Sequence, residues 1–160
     1  MIQQNYIITS ETCAILPARE IDYQAIVIKE DTTLYVTQTP LEIMKASCLH
    51  YWSTYEGRRR AVIEKLPYKQ KTPIPVSVTN KLCLFPTHAP THMNNCWINR
   101  AQVNYWERTE KDNRTKHRQT EIVFYNWHRL ALEISMHTLQ QQMDRSFRVM
   151  VESGMVRLDD

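Results

Sequence analysis

The sequence predicts an α+β fold, rich in antiparallel strands, with a helical segment near 40–64 and a C-terminal helix near 136–152. Three observations carry this. Several stretches are dense in β-branched and aromatic residues, the usual strand formers. One segment opens with a complete helix-start signature. The last third ends in a single apolar stripe at helical spacing. A barrel-like closure is one arrangement such strands allow.

Residues 6–16 and 25–37 read as strands, the second folded into a hairpin at Glu30-Asp31. Thr39-Pro40-Leu41-Glu42 starts a helix. Thr39 can cap it, Pro40 suits the first helical position, and Glu42 completes a capping box. Ile43, Met44, Cys48, Tyr51 and Trp52 follow at helical spacing. Ser53-Thr54-Tyr55-Glu56 offers a second start, though Gly57 weakens that helix. Pro67, Pro73 and Pro75 make 67–75 irregular or extended. Residues 82–85 read as a buried strand ended by Pro86, and 86–95 as a loop.

Residues 97–106 and 120–134 read as a β pair, with a turn at 126–128 and a polar link over 107–119. Ser135 can cap the final helix. Leu139, Met143, Phe147, Met150 and Val151 form its stripe, which either covers the sheet or joins a dimer interface. Gly154 ends it. Most tryptophans belong in the core, whereas Trp127, at a turn, is a candidate for exposure. The organisation is one domain over 1–152 and a short tail over 153–160.

Composition narrows the function. The chain has 160 residues, 42% of them hydrophobic, enough for a packed core. Only Gly57 and Gly154 are glycines, so no glycine-rich phosphate cradle exists. No GxSxG elbow appears either. The sequence has no uninterrupted apolar run of about 18 residues and no basic, apolar leader. A cytoplasmic protein without membrane association is expected, with Cys13, Cys48, Cys83 and Cys96 reduced.

Metal binding rests on Cys83, His88, His92 and Cys96, four zinc-type ligands within residues 83–96. They lack a CxxC knuckle, and Cys83 sits in an apolar strand, where a packed thiol is common. Packing with an exposed polar loop is the plainer account, and no metal site is assigned. The carboxylates are scattered among basic residues, so an enzyme is not expected.

The basic clusters say more. Net charge is +3. Arg58, Arg59, Arg60, Lys65, Lys69 and Lys71 face one carboxylate, Glu64, within residues 58–71. Arg108, Lys111, Arg114, Lys116 and Arg118 lie in 108–118 with Glu110 and Asp112. Guanidinium and ammonium groups bind phosphate by charge and by forked hydrogen bonds. A charge run is also what an ordinary solvated face looks like.

Several motifs decide between these readings. They are Ala46-Ser47-Cys48, Ser53-Thr54-Tyr55-Glu56-Gly57-Arg58-Arg59 and Thr72-Pro73-Ile74-Pro75-Val76, followed by Leu84-Phe85-Pro86-Thr87 and Cys96-Trp97-Ile98. Thr120-Glu121-Ile122-Val123-Phe124-Tyr125-Asn126, Leu130, Ile134-Ser135, Gln142 and Arg145 complete the set. In this order, over residues 6–150, the chain resembles the ComK family of competence transcription factors. The resemblance implies an activator of DNA-uptake genes in Gram-positive bacteria and no cofactor. It implies a homodimer or dimer of dimers, bound side by side to AT-rich promoter DNA carrying paired A-tract and T-tract boxes. It also implies control by a MecA-type adaptor and a ClpC-type protease.

A weaker likeness, over 84–135, is to LytTR DNA-binding domains, whose loops enter DNA. There His88 and Asn126 match DNA-contacting positions, and Asn99-Arg100 lie in a matching stretch. The expected DNA-binding set is therefore Arg58, Arg59, Arg60, Lys65, His88, Arg100, Arg108, Lys111, Arg114, Lys116, Arg118 and Asn126. The chain departs from the family in three ways. Its 107–119 link is longer and more charged. It has Asn126-Trp127 where an Asn-Gly type I′ turn is usual. It lacks the family's C-terminal region, which leaves a protein-interaction module or a non-activating DNA binder as the alternative.

Overall fold

A computed structural model describes residues 2–109 and 119–159 of the chain. Ten strands and three helices are arranged as two open sheets with helices on both sides, so among the described residues no barrel closes. The elements are β1 (Ile2–Gln3), β2 (Thr12–Pro17), β3 (Ala25–Lys29), β4 (Thr33–Val36), α1 (Pro40–His50), α2 (Tyr55–Lys65), β5 (Ile74–Ser77) and β6 (Leu82–Pro86). Next come β7 (Trp97–Asn99), a 3-10 turn (Arg100–Gln102), β8 (Val103–Arg108), β9 (Thr120–Phe124), β10 (Arg129–Leu132) and α3 (Met136–Glu152). A seven-stranded sheet runs β1-β4-β3-β2-β7-β6-β5, antiparallel except for β1 with β4. A three-stranded antiparallel sheet runs β10-β9-β8.

Strand alternation splits the large sheet into two apolar faces. Ile15, Val27, Leu84 and Trp97 face α1 and the start of α2, packing with Ile43, Met44, Cys48 and Tyr55. Their sequence neighbours Ala14, Ile28, Phe85 and Ile98 face the small sheet and α3, packing with Ile122, Phe124, Leu139 and Met143. Both faces of the central strands are thus dry. Each fully buried Ile, Leu or Phe contributes about 1.5–3 kcal/mol.

Capping shapes the helices as expected. Thr39 accepts from the Glu42 N–H, and Glu42 accepts from the Thr39 N–H, both at 3.2 Å. Thr54 accepts from the Gly57 N–H at 2.9 Å. A Cβ on residue 57 would stand 2.7 Å from Thr54 Oγ1. Gly57 therefore permits the close cap that starts α2, at the cost of intrinsic helix propensity. Ser135 caps α3 through the Thr138 N–H at 3.1 Å. At its other end Gly154 has φ +88°. The Gly154 N–H donates to Val151 and the Met155 N–H to Met150, closing a Schellman turn that buries Met155 against Met150.

Four segments differ from the sequence expectation. Only 12–17 of the first apolar stretch pairs as the long strand. Before it, the Ile8 N–H donates to Ser47 Oγ and the Ile8 carbonyl accepts from the Tyr51 hydroxyl, so helix side chains replace a ladder. Residues 74–77, within and beyond the proline-rich stretch, form an edge strand, where Pro75 is tolerated.

Residues 97–106 are two strands in different sheets. Asn99, fully buried, donates to the Thr12 carbonyl at 2.8 Å and accepts from the Ala101 N–H, which breaks the strand at the 3-10 turn. On α3, Gln142 and Ser146 join the buried face, while Phe147 stays 38% exposed at its edge.

Candidate nucleic-acid interface

α2 stands at the β5 edge of the large sheet, with Tyr55 and Val62 turned inward. Its outer surface therefore presents the arginines. Arg59 and Arg60 are exposed, Lys65 is exposed, and Arg58 is half-buried with its Nε unpartnered among the described residues. Arg60 meets Glu64 at 3.7 Å. So exposed an ion pair is weak and leaves the guanidinium competent for phosphate.

The segment after α2 is pinned from two sides. Arg59 donates to the Lys69 carbonyl at 3.1 Å. From α3, Arg145 donates to the Gln70 carbonyl at 3.0 Å and lies over the Tyr68 ring. Buried Gln142 donates to the Lys71 carbonyl at 2.9 Å and the Pro86 carbonyl at 2.7 Å. The backbone at Lys71 is left-handed, with φ +50°. These bonds hold residues 68–71 as a strap between α2 and α3, with Arg59 and Arg145 bonded to the adjacent carbonyls of Lys69 and Gln70.

The ridge continues toward His88. Burial, then the neighbouring His92 and Lys71, hold the His88 imidazole below its ordinary pKa. Its Nδ1 bonds Thr87 Oγ1 at 2.8 Å, and its ring stacks on His92 with centroids 4.8 Å apart.

Other expected residues lie apart. The Arg100 guanidinium sits between the rings of Trp106 and Phe147, at 5.6 and 5.7 Å, and its Nε donates to the Met143 carbonyl. Asn126 donates to the Glu30 carbonyl at 2.6 Å. That contact lies by β3, four strand spacings from β5, or roughly 19 Å. Arg108 is exposed at the end of β8. Lys111, Arg114, Lys116 and Arg118 lie outside the described residues.

The 125–127 turn is a three-residue loop, closed by Phe124 and His128. Only Trp127 has positive φ, at +71°, whereas a type I′ turn needs two such residues. Trp127 is 67% exposed, and Trp52, at φ +66°, is 97% exposed.

The zinc-type residues diverge. Cys83 is fully buried beside α3, its thiol on the Ser146 carbonyl, whereas Cys96 lies on the Asn94 carbonyl. Among the described residues no three His, Cys, Asp or Glu side chains group to hold a metal ion. No described helix is long and apolar enough to cross a membrane.

In the sequence Lys69 and Lys71 belong to a charge run and Arg145 to a motif, and neither pattern assigns them to the site. The signal was present: a run of cations across Pro67, then an arginine on the polar edge of a helix stripe. What it lacked was the 75-residue contact from Arg145 to Gln70.

The comparisons agree with this arrangement of motifs. No solved structure gives a significant match. The chain is 32% identical over 145 residues to the competence transcription factor of Bacillus subtilis (strain 168), covering 89% of this chain and 72% of that protein. The family model described as ComK protein matches residues 3–155, from β1 through the Schellman turn after α3. The chain therefore belongs to the ComK family.

Proposed function

We propose that the protein is a transcription regulator of competence that grips DNA phosphates with the ridge made by α2, the 68–71 strap and Arg145. One observation supports the reading: Arg59 and Arg145, from separate helices, bond adjacent carbonyls of the strap that carries Lys69 and Lys71. Phosphate contacts position a protein on a duplex, while base edges and groove shape carry sequence. Paired A-tract and T-tract boxes suit this, because a stiff A-tract has a narrow, strongly negative minor groove that attracts arginine. In this reading Arg58, Arg59, Arg60 and Lys65 bind phosphate with Lys69 and Lys71. His88 extends the contact, and Arg108 with the 111–118 cations grips phosphate separately. Asn126 and Arg100 then serve a second contact or hold the fold.

Two adjacent boxes imply a homodimer or dimer of dimers acting as an activator in the cytoplasm. Withdrawal by a MecA-type adaptor and ClpC-type protease completes the proposal. The alternative, a non-activating binder or protein-interaction module, is favoured by the exposed indoles of Trp52 and Trp127. The test is anisotropy titration of a paired A-tract/T-tract duplex and a scrambled GC-rich duplex over a range of salt. Preference for the first duplex, with a salt slope that falls in the Arg58–Arg60 triple alanine variant, supports the DNA reading. Indifference to sequence and salt favours the protein-interaction module.

A further inference from the structure

A cavity of about 480 Å³ opens between the loop after β2, the N-terminus of α1 and the 90–95 loop. It lies within the size range of small-ligand sites. Pro17, Pro40, Leu41, Pro90 and Met93 give it an apolar wall. Its polar lining includes Arg19, His92 and Asn95, and no acidic residue lines it.

Beside Gln24, Thr39 and Thr91, three of its polar groups offer donors. Asn95 is only 2% exposed. Its Oδ1 accepts the His88 N–H at 3.0 Å, which fixes the amide orientation, and its Nδ2 has no partner among the described residues. A buried donor of this kind calls for an acceptor. His92 Nδ1 accepts from the Asn94 N–H at 3.0 Å, which leaves Nε2 as the donor nitrogen, a second donor. Arg19 Nη2 donates to Asn94 Oδ1 at 2.9 Å and to the Met93 carbonyl at 3.5 Å, holding the guanidinium at the rim with Nε and Nη1 unpartnered among the described residues.

The end of α1 adds to this. Thr39 accepts from the Glu42 N–H and its carbonyl accepts from the Ile43 N–H, while Pro40 has no N–H. The Leu41 N–H remains for a ligand at the positive end of the helix. The Glu42 carboxylate is turned onto the Thr39 N–H and is not part of the wall.

We propose that this cavity binds a carboxylate carried on an apolar body. The carboxylate would take the Asn95 Nδ2–H, the Leu41 N–H and the Arg19 guanidinium, with the body against the prolines, Leu41 and Met93. Inorganic phosphate would leave that apolar wall uncovered. The carboxylate could belong to a small free acid or to a peptide C-terminus.

The experiment titrates the isotope-labelled full chain with N-acetyl-leucine, N-acetyl-leucinamide, inorganic phosphate and an acetylated tetrapeptide ending in leucine with a free C-terminus. Amide NMR reads the Asn95 side-chain pair and the Leu41 N–H. The expected result is saturable movement of both with N-acetyl-leucine, and binding of the amide about tenfold weaker or less. Arg19→Gln, at an exposed position, should weaken the acid about tenfold with unchanged thermal stability. A tighter tetrapeptide identifies a protein C-terminus as the source, and equal affinity a small acid. No saturable shift at Asn95, equal binding of acid and amide, or binding of phosphate alone overturns the proposal.

Discussion

The Arg145 guanidinium lies over the Tyr68 ring, 4.8 Å from its centroid, while its Nη1 donates to the next-but-one carbonyl, Gln70, at 3.0 Å. One side chain thus both covers and anchors the strap that gathers the cations. Strap geometry and surface charge are therefore coupled, and they can be separated by mutation.

Replacing Arg59 or Arg60 by Ala should weaken binding to every duplex alike and reduce the slope of log affinity against log salt by about 0.9 per lost phosphate contact. Anisotropy titrations at several salt concentrations measure this. Asn126→Ala should leave the slope unchanged, because Asn126 is uncharged and engaged with the Glu30 carbonyl. A slope unaffected in the arginine variants refutes the ridge.

Gln142→Leu removes the donor shared by the Lys71 and Pro86 carbonyls in a nearly sealed site. Each carbonyl left without a partner costs about 1–3 kcal/mol. The melting temperature should fall by several degrees, at about 2–4 °C per kcal/mol. The salt slope should fall as well, since the strap would lose its anchor. A lower melting point with an unchanged slope would show that the strap does not organise the cations.

Gly57 balances two terms. Gly57→Ala gains about 1 kcal/mol of helix propensity. It also crowds Thr54 Oγ1, whose cap contributes about 1 kcal/mol. The single variant should lie near wild type, whereas adding Gly57→Ala to Thr54→Ala should stabilise by about 1 kcal/mol. Urea melts of the four proteins form the cycle.

Trp127 holds a left-handed backbone that costs a non-glycine residue about 1 kcal/mol or more. Trp127→Gly should therefore be more stable than Trp127→Ala by about that amount. Both lose the same edge contact with Tyr105, at 6.5 Å between centroids, so their difference isolates the backbone.

Burial pushes the thiols of Cys13 and Cys48 up to about 11, and those of Cys83 and Cys96 up to about 12. In the unfolded chain they ionise near 9. The folded state binds the proton more tightly, so this stability is fully present below pH 9 and is lost as pH rises toward 11–12. Urea melts between pH 8 and 11 should show declining stability. A thiol reagent at pH 8 should react slowly until the protein is unfolded.

The sequence by itself determined what depends on neighbours a few residues away. The Thr39 capping box, the Ser135 cap and the Gly154 stop rest on hydrogen bonds within one turn, and the 25–37 hairpin on a ladder between adjacent segments. The apolar stripe of α3 followed from helical spacing, and the cationic run on α2 from the consecutive arginines. Tertiary structure alone decided the rest. Asn99 cuts 97–106 into two sheets because its amide finds the Thr12 carbonyl, 87 positions away. Arg100, expected in the DNA-binding set, lies over the rings of Trp106 and Phe147. The 68–71 strap lies between α2 and α3 because Gln142 and Arg145 reach carbonyls 71 and 75 positions distant. Such bonds form only when packing the two sheet faces has brought the partners together, and no local pattern encodes that meeting.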